Sequence, residues 1–419
     1  MKDTRKLTKS KKLIIVIDCI LCLAIVVSAM LIVIDKSRIK NGVVYTGKTK
    51  AEITEDVDAA VAPKGSTTAR LMCAGDNLIH RGLYRQANNR ANGNGYDFSY
   101  AYERIRDIIA LSDIAFLNQE TVMDTDSEPS SYPLFNSPPE LLDEMIDIGF
   151  NIFNQSTNHV MDKGTSGAFN DLALFKSKKD IILTGLYQSK EDMFKPQTID
   201  VNGITFSFVG FTEYLNGLNV PEDSDLGLLY LDDKRSTEDE LYATMKKMID
   251  TAKQSSDLVC VSMHWKDENI TEPDESQQEI AQKLLDYGAD IIIGTGPHVL
   301  QPIEFRQNGD GEQALIIWSL GNFISLQDSR NNMLGGIADV VVKKDYDNNS
   351  VSIESAKLIP TVTHFSSAFS NAYIIPLKDY TAEKASSHGN VSGFTYDYCM
   401  NFYKDMFGDI LELEPEPEK

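Results

Sequence analysis

Three apolar runs with polar exits, all within residues 257–324, constrain the fold of this chain more than any other feature. The stretch reads DLVCVSMHWKDE, then a helix-like segment, then GADIIIGTGPHVLQPIEF and LIIWSLGNFI. Residues 258–263 and 291–293 each run into polar, Gly or His residues. A short run with no polar face suits a parallel strand covered by helices on both sides. Ligands of open α/β sheets bind where loops leave the carboxyl ends of strands. His264 and His298, two of the six histidines in the chain, stand where chemistry is expected.

The segment between these runs completes a strand–helix–strand unit. Asp274 and Gln277 have the spacing of an N-cap and its capping-box partner. Ile280, Ala281, Leu284 and Leu285 then form one apolar face at helical spacing. Gly288 follows where a helix commonly ends in a left-handed residue. A parallel pair joined this way requires a right-handed crossover.

Asp and Glu outnumber Lys and Arg 62 to 40, giving a formal net charge of −22. That balance argues against nucleic-acid binding, which needs clustered cations on phosphate. The basic residues concentrate at the N-terminus, where Lys2, Arg5, Lys6, Lys9, Lys11 and Lys12 precede LIIVIDCILCLAIVVSAMLIVI. As a helix, residues 13–34 would rise about 33 Å, enough to cross a hydrocarbon core of about 30 Å. The basic flank (1–12) would stay cytoplasmic, making 13–34 an uncleaved signal anchor and placing the rest outside a cell membrane crossed once. Cys19 and Cys22 lie inside this span and read as packing residues, and five scattered cysteines make no disulfide framework.

Residues 35–68 lack periodicity and read as a linker. A globular domain is expected over 69–380. Strands are predicted at 71–74, 114–117, 150–153 and 181–183, with a more alternating strand at 204–211. Helices are predicted through Tyr102, Ile105, Ile109 and Leu111, from a start at Ser137-Pro138-Pro139-Glu140, over Gly164–Lys176, and over 241–252. Residues 336–342 and 351–358 read as strands joined by the turn DYDNN. Residues 381–419 are a C-terminal tail, packed as a helix or loose. Strands alternating with helices give an α/β class, and neither a P-loop nor a GxGxxG fingerprint is present.

Five strand exits carry candidate ligands: Asp76, Glu120, Asn158 with His159, His264, and His298. Each has an ordinary structural alternative, Asp76 as a helix cap and Asn158 as a turn residue. Taken together, mixed oxygen and imidazole donors suit Mn, Zn or Fe, as one or two ions, better than an all-oxygen cage.

The segments GDNLIHRG (75–82), NQE (118–120), STNHVMDKGTSG (156–167), HWKDE (264–268), GTGPHVLQPIE (294–304) and SLGNF (319–323) together resemble the CapA family of poly-γ-glutamate capsule synthesis proteins. The resemblance covers roughly residues 70–345. It implies a calcineurin-like metallophosphoesterase fold, a sandwich of mixed sheets flanked by helices. By position it implies that Asp76 holds a first metal with His298, that Glu120 bridges, and that Asn158 and His264 hold a second. His159 becomes the proton donor, Asn322 shapes the floor, and Glu268 and Glu304 line the pocket. Two departures stand out. Leu78 and Gly296 occupy positions where the family pattern has histidine, and His80 could compensate only if its loop folds back.

Two functions follow as expectations. One is a membrane-anchored metal-dependent hydrolase acting in capsule or poly-γ-glutamate synthesis or export. The other is a non-catalytic accessory subunit whose cleft binds poly-γ-glutamate, another envelope polymer, or a membrane synthetase complex.

Overall fold

The computed structural model describes residues 43–46, 64–389 and 391–415. Residues 1–12 and the anchor expected at 13–34 lie outside them. Among the described residues no helix is long and apolar enough to cross a membrane. The chain divides into the units Met1–Val44 and Tyr45–Lys419, and the architecture below is that of the second.

The strands are β1 (Val43–Thr46), β2 (Ser66–Asn77), β3 (Ile114–Asn118), β4 (Ile152–Asn154), β5 (Ile182–Thr184), β6 (Gln197–Val201), β7 (Ile204–Thr212), β8 (Leu258–His264), β9 (Ile291–Thr295), β10 (Leu300–Gln307), β11 (Gln313–Leu320), β12 (Asn322–Ile324), β13 (Leu334–Asp345), β14 (Ser350–Ser366) and β15 (Ser370–Pro376). The longer helices are α1 (Arg81–Arg90), α2 (Glu140–Ile148), α3 (Gly164–Lys176), α4 (Glu238–Ser255), α5 (Glu275–Asp286) and α6 (Tyr396–Phe407). They form a mixed α/β fold with two sheets, one with the order β6-β7-β8-β9-β11-β10 and the other β15-β14-β13-β2-β3-β4-β5, with β12 beside β2.

Both sheets are mixed: the first has a parallel centre with antiparallel margins, and the second is parallel from β2 to its β5 edge and antiparallel from β13 to β15. In the first, β7, β8, β9 and β11 are parallel, while β6 and β10 pair antiparallel. Phe116 of β3 stacks on Phe208 of β7 with ring centroids 6.3 Å apart, so the two sheets face each other. The core of the first sheet joins Val259, Val261 and Met263 of β8 to Met245 and Ile249 of α4 and to Ile280 and Leu284 of α5. Each such fully buried side chain contributes roughly 1.5–3 kcal/mol of transfer free energy.

Helix α5 has its capping box, with Asp274 accepting from Gln277 N and Gln277 accepting from Asp274 N, and Gly288 follows at φ +96. Helix α3 has the predicted bounds. Elsewhere the prediction needs correction. Ser137 is no cap: its hydroxyl lies 2.6 Å from that of Thr121, and Pro139 precedes α2 without a side-chain cap. The helix read through Tyr102–Leu111 is broken into short helical turns at Ser99–Tyr102, Glu103–Ile105 and Arg106–Ile109. Strand β7 is buried on both faces despite its alternating sequence. Its Ser207 hydroxyl donates to Ala252 O of α4, which satisfies a polar group that alternation alone would place in water.

The margins of the domain also differ. Strand β2 starts at Ser66, inside the stretch read as linker. Residues 396–407 are a packed helix: Cys399, Tyr403 and Phe407 of α6 are buried, and Tyr403 Oη lies 2.8 Å from Gly335 O and 2.6 Å from Thr361 O.

Candidate metal centre

Parallel register brings the last residues of neighbouring strands level, and here those residues are polar. Asn322, Asp76, Asn118 and Asn154 form one row across β12, β2, β3 and β4. Thr212, His264 and Thr295 form the facing row across β7, β8 and β9. The sheets meet closely at this end. Asp76 N donates to Gly321 O at 3.0 Å, and a Cβ on Gly75 would lie 2.0 Å from that same oxygen. Only glycine permits that approach.

Asp76 is fully buried and held on several sides. Its Oδ1 accepts from Asn118 Nδ2 at 2.8 Å and from Gly296 N at 3.1 Å, and its Oδ2 lies 3.1 Å from His298 Nδ1. Asn154 Nδ2 in turn donates to Asn118 Oδ1 at 2.8 Å, so a relay of amides fixes the carboxylate. Glu120, in the loop after β3, is fully buried and differs sharply: neither carboxylate oxygen has a hydrogen-bond partner. Candidate ligand atoms of Asp76, Glu120 and His298 lie within 4.8 Å of one another.

The charges in this trio are interdependent. Burial drives the Glu120 carboxyl well above its usual range, and the neighbouring Asp76 and Glu268 charges add to that, while His298 opposes it. Burial also acts to raise Asp76, but the hydrogen bond and charge of His298 outweigh it and hold Asp76 low. His298 is pushed up to about 10, because Glu120 and Asp76 more than offset its desolvation.

A buried carboxylate without donors is costly, and a divalent cation supplies the missing positive charge. The residues present therefore fit a metal. His298 itself adopts φ +59, a left-handed conformation uncommon outside glycine. Asn332 Nδ2 holds its carbonyl at 3.1 Å, and Asn322 Oδ1 lies 3.2 Å from its ring. Asn322 thus lies beneath the His298 ring, its own amide nitrogen bonded to Ser325, Gln327 and Asn332.

The opposite side of the cleft is closed on itself. His264 Nε2 lies 3.1 Å from Asn158 Oδ1, and its Nδ1 lies 3.1 Å from Thr295 Oγ1. Burial holds this imidazole down at about 3. Asn158 Nδ2 donates onward to Tyr214 Oη at 3.0 Å. His159 Nδ1 contacts Asp162 Oδ2 at 2.7 Å, forming a buried histidine–aspartate pair.

The remaining candidates divide. Glu268 sits at the rim, 3.9 Å from His298 Nε2 with its side chain 42% exposed. Glu304 is not in the cleft: on β10 it accepts from Trp318 Nε1 at 2.9 Å and pairs with Arg306 at 2.7 Å. Strand alternation turned it to the other side. Leu78 is buried and its N–H donates to Ile324 O. His80 does not fold back: its ring packs edge-on against Phe135 and its Nδ1 accepts from Leu326 N at 3.3 Å. A Cβ on Gly296, which has φ +101, would lie 2.4 Å from Trp265 O. No side chain of any kind fits there on this backbone.

Sequence reasoning missed Asp162, Asn118 and Tyr214. Asp162 was discernible as the acid three residues after His159; the other two become visible only through strand register and a loop crossing from β7.

A profile of the family described as "Bacterial capsule synthesis protein PGA_cap" matches residues 70–327. The "PGA biosynthesis protein CapA" of Bacillus subtilis (strain 168) is 35% identical over 179 residues, 42% of this chain and 43% of that protein. The "Capsule biosynthesis protein CapA" of Bacillus anthracis is 31% identical over 176 residues, 42% of this chain and 40% of that protein. The matched segment thus spans less than half of either relative. A solved phosphatase from Mycoplasma pneumoniae shares 15% identity at a TM-score of 0.39, covering 71% of this chain and 94% of that one. With the profile covering more than half of the chain, and with its motifs gathered at one cleft, the chain belongs to the bacterial capsule synthesis protein PGA_cap family.

Proposed function

We propose that this chain is a membrane-anchored, extracytoplasmic capsule-assembly protein whose cleft is a metal-dependent phosphoester-cleaving site of metallophosphoesterase type. One observation carries the catalytic reading: Glu120 is buried with neither oxygen hydrogen-bonded, beside Asp76 and 3.6 Å from His298 Nε2. Mn, Zn or Fe bound there would polarise a phosphoryl oxygen and activate water. Asp76, Glu120 and His298 would hold it, with Asn118 and the Gly296 N–H orienting Asp76. His264 and Asn158 would serve a second ion only by giving up their mutual contact.

His159 supplies the proton chemistry. With its Nδ1 proton assigned to Asp162, Nε2 is the nitrogen available to a leaving oxygen. Asp162 fixes the tautomer and stabilises the imidazolium while the proton is held. The anchor is residues 13–34, on hydropathy and the basic flank, and the polymer is poly-γ-glutamate or another envelope polymer, handled with a membrane synthetase complex. The capsule vocabulary of the family and of the two Bacillus relatives supports that role.

A second reading has its own support. Gly296 leaves no room for a further imidazole, which favours a cleft that binds polymer or partner without turnover. Metal content of the full-length protein in detergent, wild type against Glu120→Gln after equal dialysis, separates the two. About one equivalent of transition metal in wild type, lost in the variant, together with phosphoester turnover, supports the enzyme. No metal after reconstitution sinks it and leaves the binding role.

A further inference from the structure

Residues 130–136 form a small hairpin closed by a bridge between Ser130 and Asn136. Its base is locked. Asn136 Oδ1 accepts from Asp124 N at 2.7 Å and its Nδ2 donates to Ser127 O at 2.9 Å, while Lys163 Nζ donates to Ser130 Oγ at 2.7 Å. Phe135 points inward and is 1% exposed. Its ring meets that of His159 edge-on at 4.7 Å. Its N–H donates to Asp162 Oδ2 at 2.6 Å, the same oxygen that contacts His159 Nδ1. One residue therefore packs the imidazole and bonds the group that orients it.

The tip faces water. Tyr132 is 77% exposed and Leu134 46% exposed, and among the described residues only Phe305 and Leu413 are comparable large apolar side chains in solvent. An apolar pair held out in water by a rigid base forgoes the burial that folding gives most large apolar side chains. Its place explains it. Phe135 touches His159, which the reading above makes the donor to the leaving oxygen, and Leu134 precedes Phe135 in the chain, so the exposed pair stands beside that residue.

We propose that the hairpin 130–136 is the leaving-group specificity element: Phe135 positions the His159 imidazole, and Tyr132 with Leu134 receives an aromatic or apolar leaving group. The assignment rests on the phosphoesterase reading above. Aromatic and apolar groups bind such a tip by area burial and ring packing, which a small alkyl group cannot match.

The test uses full-length protein in detergent with Mn2+, comparing 4-nitrophenyl phosphate with methyl phosphate. The double variant Tyr132→Ala, Leu134→Ala is expected to lower the aryl-over-methyl preference in kcat/KM about tenfold, mainly through KM. Phe305→Ala, on the edge strand β10, should keep the preference. Phe135→Leu, which retains apolar volume, should lower kcat with little change in KM, move the pH profile, and shift the His159 resonance in 13C-histidine NMR, assigned by its loss in His159→Gln. An unchanged preference in the double variant overturns the specificity role. An unmoved His159 resonance in Phe135→Leu overturns the positioning role, and this readout needs no turnover. Absence of metal-dependent turnover of either ester by wild type overturns the phosphoesterase reading itself, and the leaving-group assignment with it.

Discussion

On the β2–β3 side of the cleft Glu120 is buried with neither oxygen bonded, whereas on the β8 side His264 has both ring nitrogens partnered, by Asn158 and by Thr295. Two residues that the resemblance casts as metal ligands are thus in opposite states of hydrogen-bond satisfaction. A buried carboxyl with no hydrogen-bond donor, facing only the His298 ring 3.6 Å away, can be held as an anion by an added cation, while an imidazole between two hydrogen-bond partners gains little from one. The difference teaches that equivalent-looking ligands at strand exits do not make equivalent metal positions. On the proposed metal reading, the side with Glu120 would bind a cation first and more tightly.

The largest expected effect separates proton transfer from both halves. His159→Ala should lower kcat on a phosphoester by about 10²–10⁴-fold and leave metal content unchanged, as read by elemental analysis. Loss of metal in that variant would merge what the comparison keeps apart. Next, Glu120→Gln should weaken metal retention by at least about 100-fold, while His264→Ala should weaken it by less than about tenfold. Equal losses in competitive chelator titrations would break the asymmetry.

Gly296→Ala probes the wall between the halves. Its Cβ would meet Trp265 O at 2.4 Å in a backbone with φ +101, so urea denaturation should show a loss of roughly 2–3 kcal/mol. A neutral outcome would mean that the wall yields, and that a side chain could serve the β8 side after all.

The smallest effect sharpens what makes Glu120 distinctive. Asp171 of α3 is also fully buried, with Oδ2 unpartnered, but no histidine lies against it. Burial first, then the charge of Asp124, pushes its carboxyl up to about 8 from an ordinary 3.8, against the Met123 N–H that it accepts. Between those values the unfolded chain has released a proton that the folded chain retains, so stability falls as pH rises through the window. Asp171→Asn should flatten that slope and raise stability at pH 7 by about 1–2 kcal/mol, measured by denaturation at pH 5 and pH 8. Glu120→Gln in metal-loaded protein should instead destabilise. Matching responses would make Glu120 an ordinary buried acid.

Much of the frame is legible in local sequence. The α5 capping box, the left-handed Gly288 and the bounds of α3 depend on residues within a turn of one another, and all appear as expected. Ser137 misled because its hydroxyl found Thr121, a partner sixteen residues away that no local pattern shows. Residues 204–211 read as an alternating strand, and alternation does not show α4, which covers one face and accepts from Ser207. Glu304 lay within a family-like motif, yet strand pleat turned it to Trp318.

The amino-acid sequence by itself determined the α/β alternation, the polar strand exits and the family, since periodicity, capping and motif order are short-range properties. Only the tertiary structure decided how those exits act. Parallel register placed Asp76 level with Asn118 and Asn322, the closeness of the sheets forced glycine at Gly75, and the turn after β9 put His298 at φ +59 against Asp76. Desolvation and strand pairing sum contributions from residues far apart in the chain. That is why a carboxylate left without donors, the feature that marks this cleft, is invisible until the sheets are closed around it.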